Sequence, residues 1–325
     1  MTVRVGVIGS GFGARVVAPV FAATDGCAVV DVVSARDEAA VAALCARPDL
    51  DLVSVHSPPF LHVAHVQAAL DGGHAVLCDK PFGRDAGEAA AMLHAAEASG
   101  VVHLVNFELR RAPMRERLRT LVLDGAVGVP AHVQWTHVSA GSRVPLRPYG
   151  WLFDRALGGG WIGAWGSHAV DTIRWIFGEV TDARAECRVT ITERPDRDGV
   201  LHGCDAEDAF TAFLRTDRGV TVAVDTTFVA PSALVPRLVV IGSDAVIECT
   251  GETRLVVRRV DGKREEIDVE PGTGDRHAEP MRRWATTVRD AVRDGAAPVG
   301  APTFADGVAC VRVLDRLREG LPGLA

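Results

Sequence analysis

The chain lacks the cysteine pattern of a stapled or zinc-bound fold. Its seven cysteines (Cys27, Cys45, Cys78, Cys187, Cys204, Cys249 and Cys310) are odd in number, scattered and without a Cys-x-x-Cys pair. That distribution argues against a disulfide frame and fits reduced thiols in the cytoplasm. A basic stripe is also missing. Arg and Asp are interspersed and the formal net charge is -7, so no nucleic-acid partner is expected. No apolar run approaches the ~20 residues needed to span a bilayer, so no membrane partner is expected. The N-terminus enters a strand-like run at once, which argues against a signal peptide. Internal repeats and low-complexity tracts are absent as well. What remains is a 325-residue chain with 48% hydrophobic residues, enough for about two domains with sizeable cores.

The first third alternates short buried-strand runs with helical stretches. Val3–Ile8 leads into Gly9-x-Gly11-x-x-Ala14 and then into helix. Gly9 permits a tight turn, and Gly11 lets the backbone approach a pyrophosphate. Ala14, where a third glycine often stands, is small enough for helix–strand packing. Phe12 and Gly13 complete the turn and are counted among the cofactor contacts. Strands are expected at 28–33, 51–55, 74–78 and 101–105, with helices at 38–46, 62–70 and 86–98. This alternation predicts a doubly wound parallel sheet with helices on both faces. Ligands then bind beyond the C-terminal strand ends. Gly9, Ser57, Pro58, Lys80 and Asn106 fall at such ends.

The tip of the second strand reads Val33-Ser34-Ala35-Arg36. A carboxylate usually sits there to hold the ribose hydroxyls of NAD. Ser34 and Arg36 would instead suit a 2′-phosphate, so NADP is favoured over NAD. Arg36 stacking on adenine is the competing reading. His56, His62 and His65 cluster in sequence, but His62-x-x-His65 has no accompanying cysteine or carboxylate set, so no metal is expected; packing, or contacts near the cofactor loop, suit these histidines better.

At Cys78-Asp79-Lys80-Pro81 a family likeness becomes specific. The segment Ala69–Pro81 resembles the signature of the glucose–fructose oxidoreductase, inositol dehydrogenase and rhizopine-catabolism (Gfo/Idh/MocA) family, with Asp79 where members usually carry Glu. Ser57-Pro58-Pro59-Phe60-Leu61-His62 is similar to the family's Thr-Pro-x-x-x-His. Asn106–Pro113, Gly158–Gly160 through His168 and Asp171, Glu207-Asp208, and Phe304–Gly307 follow in the family's order. The resemblance implies an N-terminal Rossmann domain (1–124) and a C-terminal α/β domain (125–325) with a large, mostly antiparallel open-faced sheet. It implies a cytoplasmic NAD(P)-dependent oxidoreductase acting on a sugar, amino sugar or cyclitol. Asp79 and Lys80 would lie at the cofactor, with Lys80 as acid–base. One uncovered sheet face in the second domain points to a homodimer or homotetramer.

Within the second domain, strand-like runs from Ala131–Val138 to Leu255–Val260 dominate, and helices are expected at 279–293 and 304–317. Trp161–Phe177 reads as a helix. His168 and Asp171 share one face of it, about one turn apart. On the residues alone, His168 reads as a cap of polar contacts between domains; the resemblance makes it the second acid–base, with Asp171 at the substrate. Ala164 stands where many members carry an aspartate. Arg110 would bind an anionic substrate group or form a domain-linking ion pair. Trp161 would stack on a sugar ring, whereas Trp165 and Trp175 suit the core. Glu207 and Asp208 are expected in a solvated turn.

Hydride transfer at a secondary carbinol carbon would leave Lys80 to stabilise the alkoxide or take its proton. Two other readings keep the scaffold: a non-catalytic, cofactor-dependent sugar sensor, and a redox-neutral glycoside-cleaving enzyme. Ala164 favours the sensor; Lys80 and His168 favour the oxidoreductase.

Overall fold

The structure, a computed structural model, describes residues 1–270 and 275–319. It divides into two compact units, both discontinuous in sequence. Unit 1 comprises residues 1–111 and 272–312, and unit 2 comprises 112–271 and 313–325. This differs from the expected division at 124/125. The reason is that the helix after the large sheet returns to the first core.

Unit 1 holds β1 (Val3–Ile8), α1 (Ala18–Ala22), β2 (Cys27–Val33), α2 (Glu38–Cys45), β3 (Leu52–Val55), α3 (His62–Asp71), β4 (Ala75–Cys78), α4 (Ala86–Ser99) and β5 (His103–Val105). The strands form a wholly parallel sheet in the order β2-β1-β3-β4-β5. β3 and β4 are buried at every residue, as strands covered on both faces must be. The helices start where short acids meet their first turns. Asp37 accepts from Ala40 N, and Asp85 accepts from Glu88 N, which satisfies N–H groups that helical geometry leaves unpaired. Gly100, at φ 69°, ends α4. Val5, Val7, Phe21, Leu52, Leu77 and Leu104 form a core with Met281, Trp284 and Val288. The last three belong to the helix Ala278–Asp294.

Unit 2 is built on an eight-stranded sheet. Its α5 (Pro113–Leu123) precedes β6 (Pro130–Val138), and α6 (Ser167–Phe177) precedes β7 (Val180–Arg188). There follow β8 (Glu193–Pro195), β9 (Leu201–Gly203), β10 (Ala209–Thr216), β11 (Thr221–Thr227), β12 (Arg237–Gly242), β13 (Ala245–Thr250), β14 (Arg254–Arg259) and β15 (Arg264–Asp268). The order is β15-β14-β13-β12-β6-β11-β10-β7, antiparallel except where β11 meets β6. The small hairpin β8–β9 stands apart. Neither it nor β15 is apparent in the sequence, because both are short and polar. One sheet face is buried through Val133, Trp135, Leu214, Val224, Val240 and Ile247. The other carries cross-strand pairs such as Arg237–Glu248 and Arg258–Glu248, and Phe213 under Arg184. The chain closes with α7 (Ala278–Asp294) and α8 (Phe304–Arg318), and the partition falls within α8.

Candidate functional site

The C-terminal edge of the parallel sheet places five residues in one row. β1 aligns Ile8 with Val33 of β2 and with Val55 of β3; Val55 aligns with Cys78, and Cys78 with Val105. The next residue of each strand therefore stands in the order Ser34, Gly9, His56, Asp79, Asn106. Backbone bonds carry the ladder into this row. Gly9 N donates to Val33 O, His56 N to Ile8 O, Asp79 N to Val55 O and Asn106 N to Cys78 O, over 2.7–2.9 Å. The strand order reverses between β1 and β3, and such switch points are where open α/β sheets take their ligands.

The turn after β1 fits a pyrophosphate. Gly9 has φ 137°, and a Cβ there would stand 2.5 Å from His56 O, so only glycine is accommodated. Gly11 has no atom within 4 Å of where a side chain would begin, which leaves room for a phosphate against the backbone. A wide, π-type turn over Gly13–Val17 then runs into α1. The close helix–strand packing falls to Gly13, not Ala14. A Cβ on Gly13 would meet Val7 and His56 at about 3 Å, and Gly13 is buried while Ala14 is half-buried. Phe12 packs edge-on against the His56 and His277 rings.

At the tip of β2, Ser34 and Arg36 are both exposed. Ser34 Oγ accepts from Arg36 N at 3.3 Å. The Arg36 guanidinium has no hydrogen-bond or ion-pair partner among the described residues. The carboxylate that follows, Asp37, is committed to capping α2.

The loop after β3 is held from below. His62 is fully buried and its Nε2–H donates to Ser57 O at 2.8 Å, while His65 Nδ1 meets Ser57 Oγ at 3.0 Å. Ser57 is buried and Pro58 half-buried. His62 thus anchors the loop after β3 from the protein side. Among the described residues no three His, Cys, Asp or Glu side chains gather as a metal set.

Burial pulls the His62 pKa down to about 4, against smaller opposing effects of Ser57 O and Asp79, and burial lowers His65 too. Both rings fold neutral and charge more readily in the unfolded chain. Their contribution is complete above the unfolded value of ~6.5 and is lost as pH falls through the window toward 4; for His62 it amounts to about 3 kcal/mol at most. Urea midpoints should therefore fall from pH 7.5 to pH 5, and less steeply in His62→Phe. An equal acid slope in the variant would remove this explanation.

Asp79, next in the row, is engaged through both carboxylate oxygens. Oδ2 accepts from His56 Nδ1 at 3.1 Å; Oδ1 accepts from Lys80 N at 2.9 Å and from Asn106 Nδ2 at 3.3 Å. Burial opposes its ionisation, yet the hydrogen bond from His56 and the Lys80 ammonium hold its pKa well below the usual carboxylate range. Asn106 is fully buried, and its Oδ1 has no hydrogen-bond partner among the described residues. Lys80 itself is half-buried and follows directly on the row.

Arg110 does not present its head to a ligand. It is 6% exposed, its Nη2 donates to Asp306 Oδ1 at 2.9 Å and its Nη1 donates to Gly300 O at 3.2 Å. The ion pair lies inside unit 1, whose second segment falls in the stretch expected to belong to the C-terminal domain. It ties the short turn Glu108–Arg111 to the start of α8.

In unit 2 the expected single helix is two pieces, a π-type turn over Ile162–Gly166 leading into α6. His168 and Asp171 are both buried on α6. His168 O accepts from Thr172 Oγ1 at 2.7 Å, and Arg115 Nη1 donates to Thr172 Oγ1 at 2.6 Å. Ala164 is the only half-buried residue between Trp161 and Arg174. Trp161 is committed to the core rather than offered to a sugar. Its ring stacks on Phe228 at 4.4 Å, and its Nε1 donates to Thr226 Oγ1 at 2.8 Å.

Glu207 and Asp208 are not in a solvated turn. They are 1% and 2% exposed. Glu207 Oε1 accepts from Ile162 N, and Asp208 accepts from Thr190 N and Ile191 N. Burial pushes the Glu207 pKa up, with the Arg318 charge opposing. Gly160, at φ 105°, abuts the Glu207 carboxylate. The glycine run is therefore required where it meets this buried acid, which fixes the start of the turn leading to His168.

Residues 3–107 match the oxidoreductase family with an NAD-binding Rossmann fold, GFO_IDH_MocA, and residues 116–248 match the GFO/IDH/MocA C-terminal domain. The chain is 31% identical over 160 residues to levoglucosan dehydrogenase of Pseudarthrobacter phenanthrenivorans, covering 49% of this chain and 40% of that protein. It is 30% identical over 246 residues to D-xylose 1-dehydrogenase (NADP(+)) 2 of Haloferax volcanii, covering 70% of each. The chain spans about half the length of the first curated relatives it matches. A solved structure of levoglucosan dehydrogenase with NADH and levoglucosan superposes with a TM-score of 0.86 at 22% identity, over 99% of this chain and 97% of that one. At that identity the likeness speaks for the fold.

Proposed function

The chain belongs to the GFO/IDH/MocA oxidoreductase family, and on that premise we propose that it transfers a hydride between a nicotinamide cofactor and a secondary alcohol or ketone of a sugar, amino sugar or cyclitol. The observation that carries this reading is Lys80. The chain has only two lysines against 33 arginines, and one of the two follows the row at the C-terminal sheet edge. A guanidinium keeps its proton throughout the working range, whereas an ammonium can give and regain one. A lysine retained there suits proton transfer better than charge alone. The other lysine, Lys263, is exposed and paired with Asp261.

Gly9, Gly11, Phe12 and Gly13 would hold the cofactor's pyrophosphate, with Ser57, Pro58, Asp79 and Asn106 along the same edge and His62 behind the loop. When bound, the nicotinamide supplies the hydride acceptor or donor. Lys80 would stabilise the substrate alkoxide or take its proton. His168 is the second acid–base candidate, with Asp171 beside it on α6 as a substrate contact. Ser34 and Arg36 support NADP over NAD, because a serine hydroxyl and an unengaged guanidinium suit a 2′-phosphate. The reading is tested by cofactor absorbance with NADP⁺ or NAD⁺ against levoglucosan, D-xylose, D-apiose and inositol. Turnover with any of them is the expected result; tight cofactor binding without turnover on a broader panel of sugars, cyclitols and their keto forms would oppose it.

Ala164 carries a second reading, a cofactor-dependent sugar sensor. A half-buried methyl stands one turn before His168 and has no acid–base capacity. For assembly, we propose that a second copy covers the outer face of the eight-stranded sheet, where Phe213 is 52% exposed; light scattering should give a dimer or tetramer. No described helix is long and apolar enough to cross a membrane. All seven cysteines are thiols, which supports a cytoplasmic setting.

A further inference from the structure

His56 is the member of the strand-end row that neither the glycine turn nor the Lys80 reading uses, and its surroundings are specific. It is 7% exposed. Its Nε2 lies 2.8 Å from Ser54 Oγ, a fully buried hydroxyl, and its Nδ1 lies 3.1 Å from Asp79 Oδ2. With the Ser54 hydroxyl donating to Nε2, the imidazole carries its proton on Nδ1 and donates it to the carboxylate. On the other side it is wedged against the phosphate turn, since Gly9 and Gly13 both approach it so closely that a Cβ on either would crowd it.

We propose that His56 is a positioning residue for Lys80: its Nδ1–H fixes one oxygen of Asp79 so that the other accepts the Lys80 backbone N–H and the Asn106 amide. The proposal rests on the reading of Lys80 as the acid–base. Three features carry it. Asp79 joins its row neighbours on both sides through its side chain, His56 on one and Asn106 on the other. The pair is built by register, because His56 and Asp79 each follow the aligned residues Val55 and Cys78. Ser54, two residues before His56 and inside β3, orients the ring from within the sheet. Without the His56 bond the carboxylate keeps only the Oδ1 contacts and can rotate. The backbone from which the Lys80 side chain departs then loses a fixed acceptor. A displacement of about 1 Å at a reacting group can cost ~10²-fold in rate.

The test compares three single variants with one double variant, and runs Lys80→Met beside them. His56→Leu removes the donor and keeps apolar bulk; His56→Asn keeps a side-chain N–H donor; Asp79→Asn removes the carboxylate. Kinetics use NADP⁺ and the fastest sugar of the panel. His56→Leu should lower kcat by ~10- to 100-fold while KM and cofactor Kd stay within about threefold. His56→Asn should recover most of kcat. The double variant His56→Leu/Asp79→Asn should lose no more than Asp79→Asn alone, because the two act through one bond.

A readout independent of turnover comes from reductive ¹³C-methylation. It labels only Lys80, Lys263 and the N-terminal amine. The Lys80 signal should move in His56→Leu and return in His56→Asn, while the Lys263 signal stays. A packing role predicts the reverse order, with Leu tolerated and Asn damaging, and that result overturns the proposal. So does an unmoved Lys80 signal in His56→Leu. Lys80→Met, run alongside, separates the two claims. If it keeps full turnover, the acid–base reading fails, and the positioning claim is decided by the methyl signal.

Discussion

Lys80→Met is expected to reduce kcat by ~10³-fold or more, with the Kd for cofactor changed by no more than about threefold. General acid–base catalysis contributes ~10²- to 10⁴-fold, and electrostatic support of a developing alkoxide adds to it. Both would be lost together, because the same ammonium serves both. The turn proposed to hold the cofactor is shaped by Gly9, Gly11 and Gly13 and does not include the lysine side chain. Lys80→Arg sharpens the point. It keeps the positive charge but cannot release the proton, so it should stay within about tenfold of Lys80→Met. Steady-state kinetics beside cofactor-fluorescence titration checks both. Near-normal kcat in the Lys80→Arg variant would mean that charge alone suffices. The proton would then have to be moved elsewhere, with His168 the next residue to replace.

Arg36→Ala is expected to lower kcat/KM for NADP⁺ by ~10- to 100-fold and to leave that for NAD⁺ nearly unchanged. A charge-assisted hydrogen bond contributes about 1.5–3 kcal/mol, and a guanidinium on a phosphate can make two. Arg36 has no competing partner among the described residues, so its whole contribution would be spent on the ligand. Adding Ser34→Asp to Arg36→Ala should invert the preference. A carboxylate would then stand in the row beside Gly9, where it can accept from ribose hydroxyls and repel a phosphate. The ratio of the two kcat/KM values is the measurement. A ratio unmoved by Arg36→Ala would assign the arginine to adenine stacking and leave the preference without a basis at this tip.

The row at the sheet edge is largely legible in the sequence because it depends on short-range rules. Each strand of unit 1 is a short, mostly apolar run ended by a glycine or a polar residue, so the residues beyond the ends can be named without knowing their neighbours. Gly9, Ser57, Lys80 and Asn106 are found that way. The sequence shows His56 only as one of a histidine cluster; its place beside Asp79 is visible only in the register of β3 and β4. Other misreadings have partners far away in sequence. Arg110 meets Asp306, 196 residues on, and Glu207 meets the backbone of Ile162, 45 residues back. A buried charge reads as solvated, as Glu207 does, or as ligand-binding, as Arg110 does, until its partner is known. Trp161 is similar, because Thr226 satisfies its indole N–H and frees the ring for the core. The return of α7 to the first unit is also nonlocal, since Met281, Trp284 and Val288 show an apolar stripe but not which core it fills.

The strand-end row has a consequence for how such a chain can change. Its members are brought abreast by ladder hydrogen bonds, so each position is counted from the strand that precedes it. One residue inserted or deleted within β3 or β4 would turn every later side chain of that strand to the opposite face and carry His56 or Asp79 out of line. Point substitution at a row position leaves the count intact. Diversification at this edge should therefore proceed by exchanging residue types at fixed positions, with length variation confined to segments beyond the row. A library that randomises positions 34, 56, 79 and 106 at constant length samples new chemistry on an unchanged frame, whereas one that varies strand length mostly samples misassembled sheets.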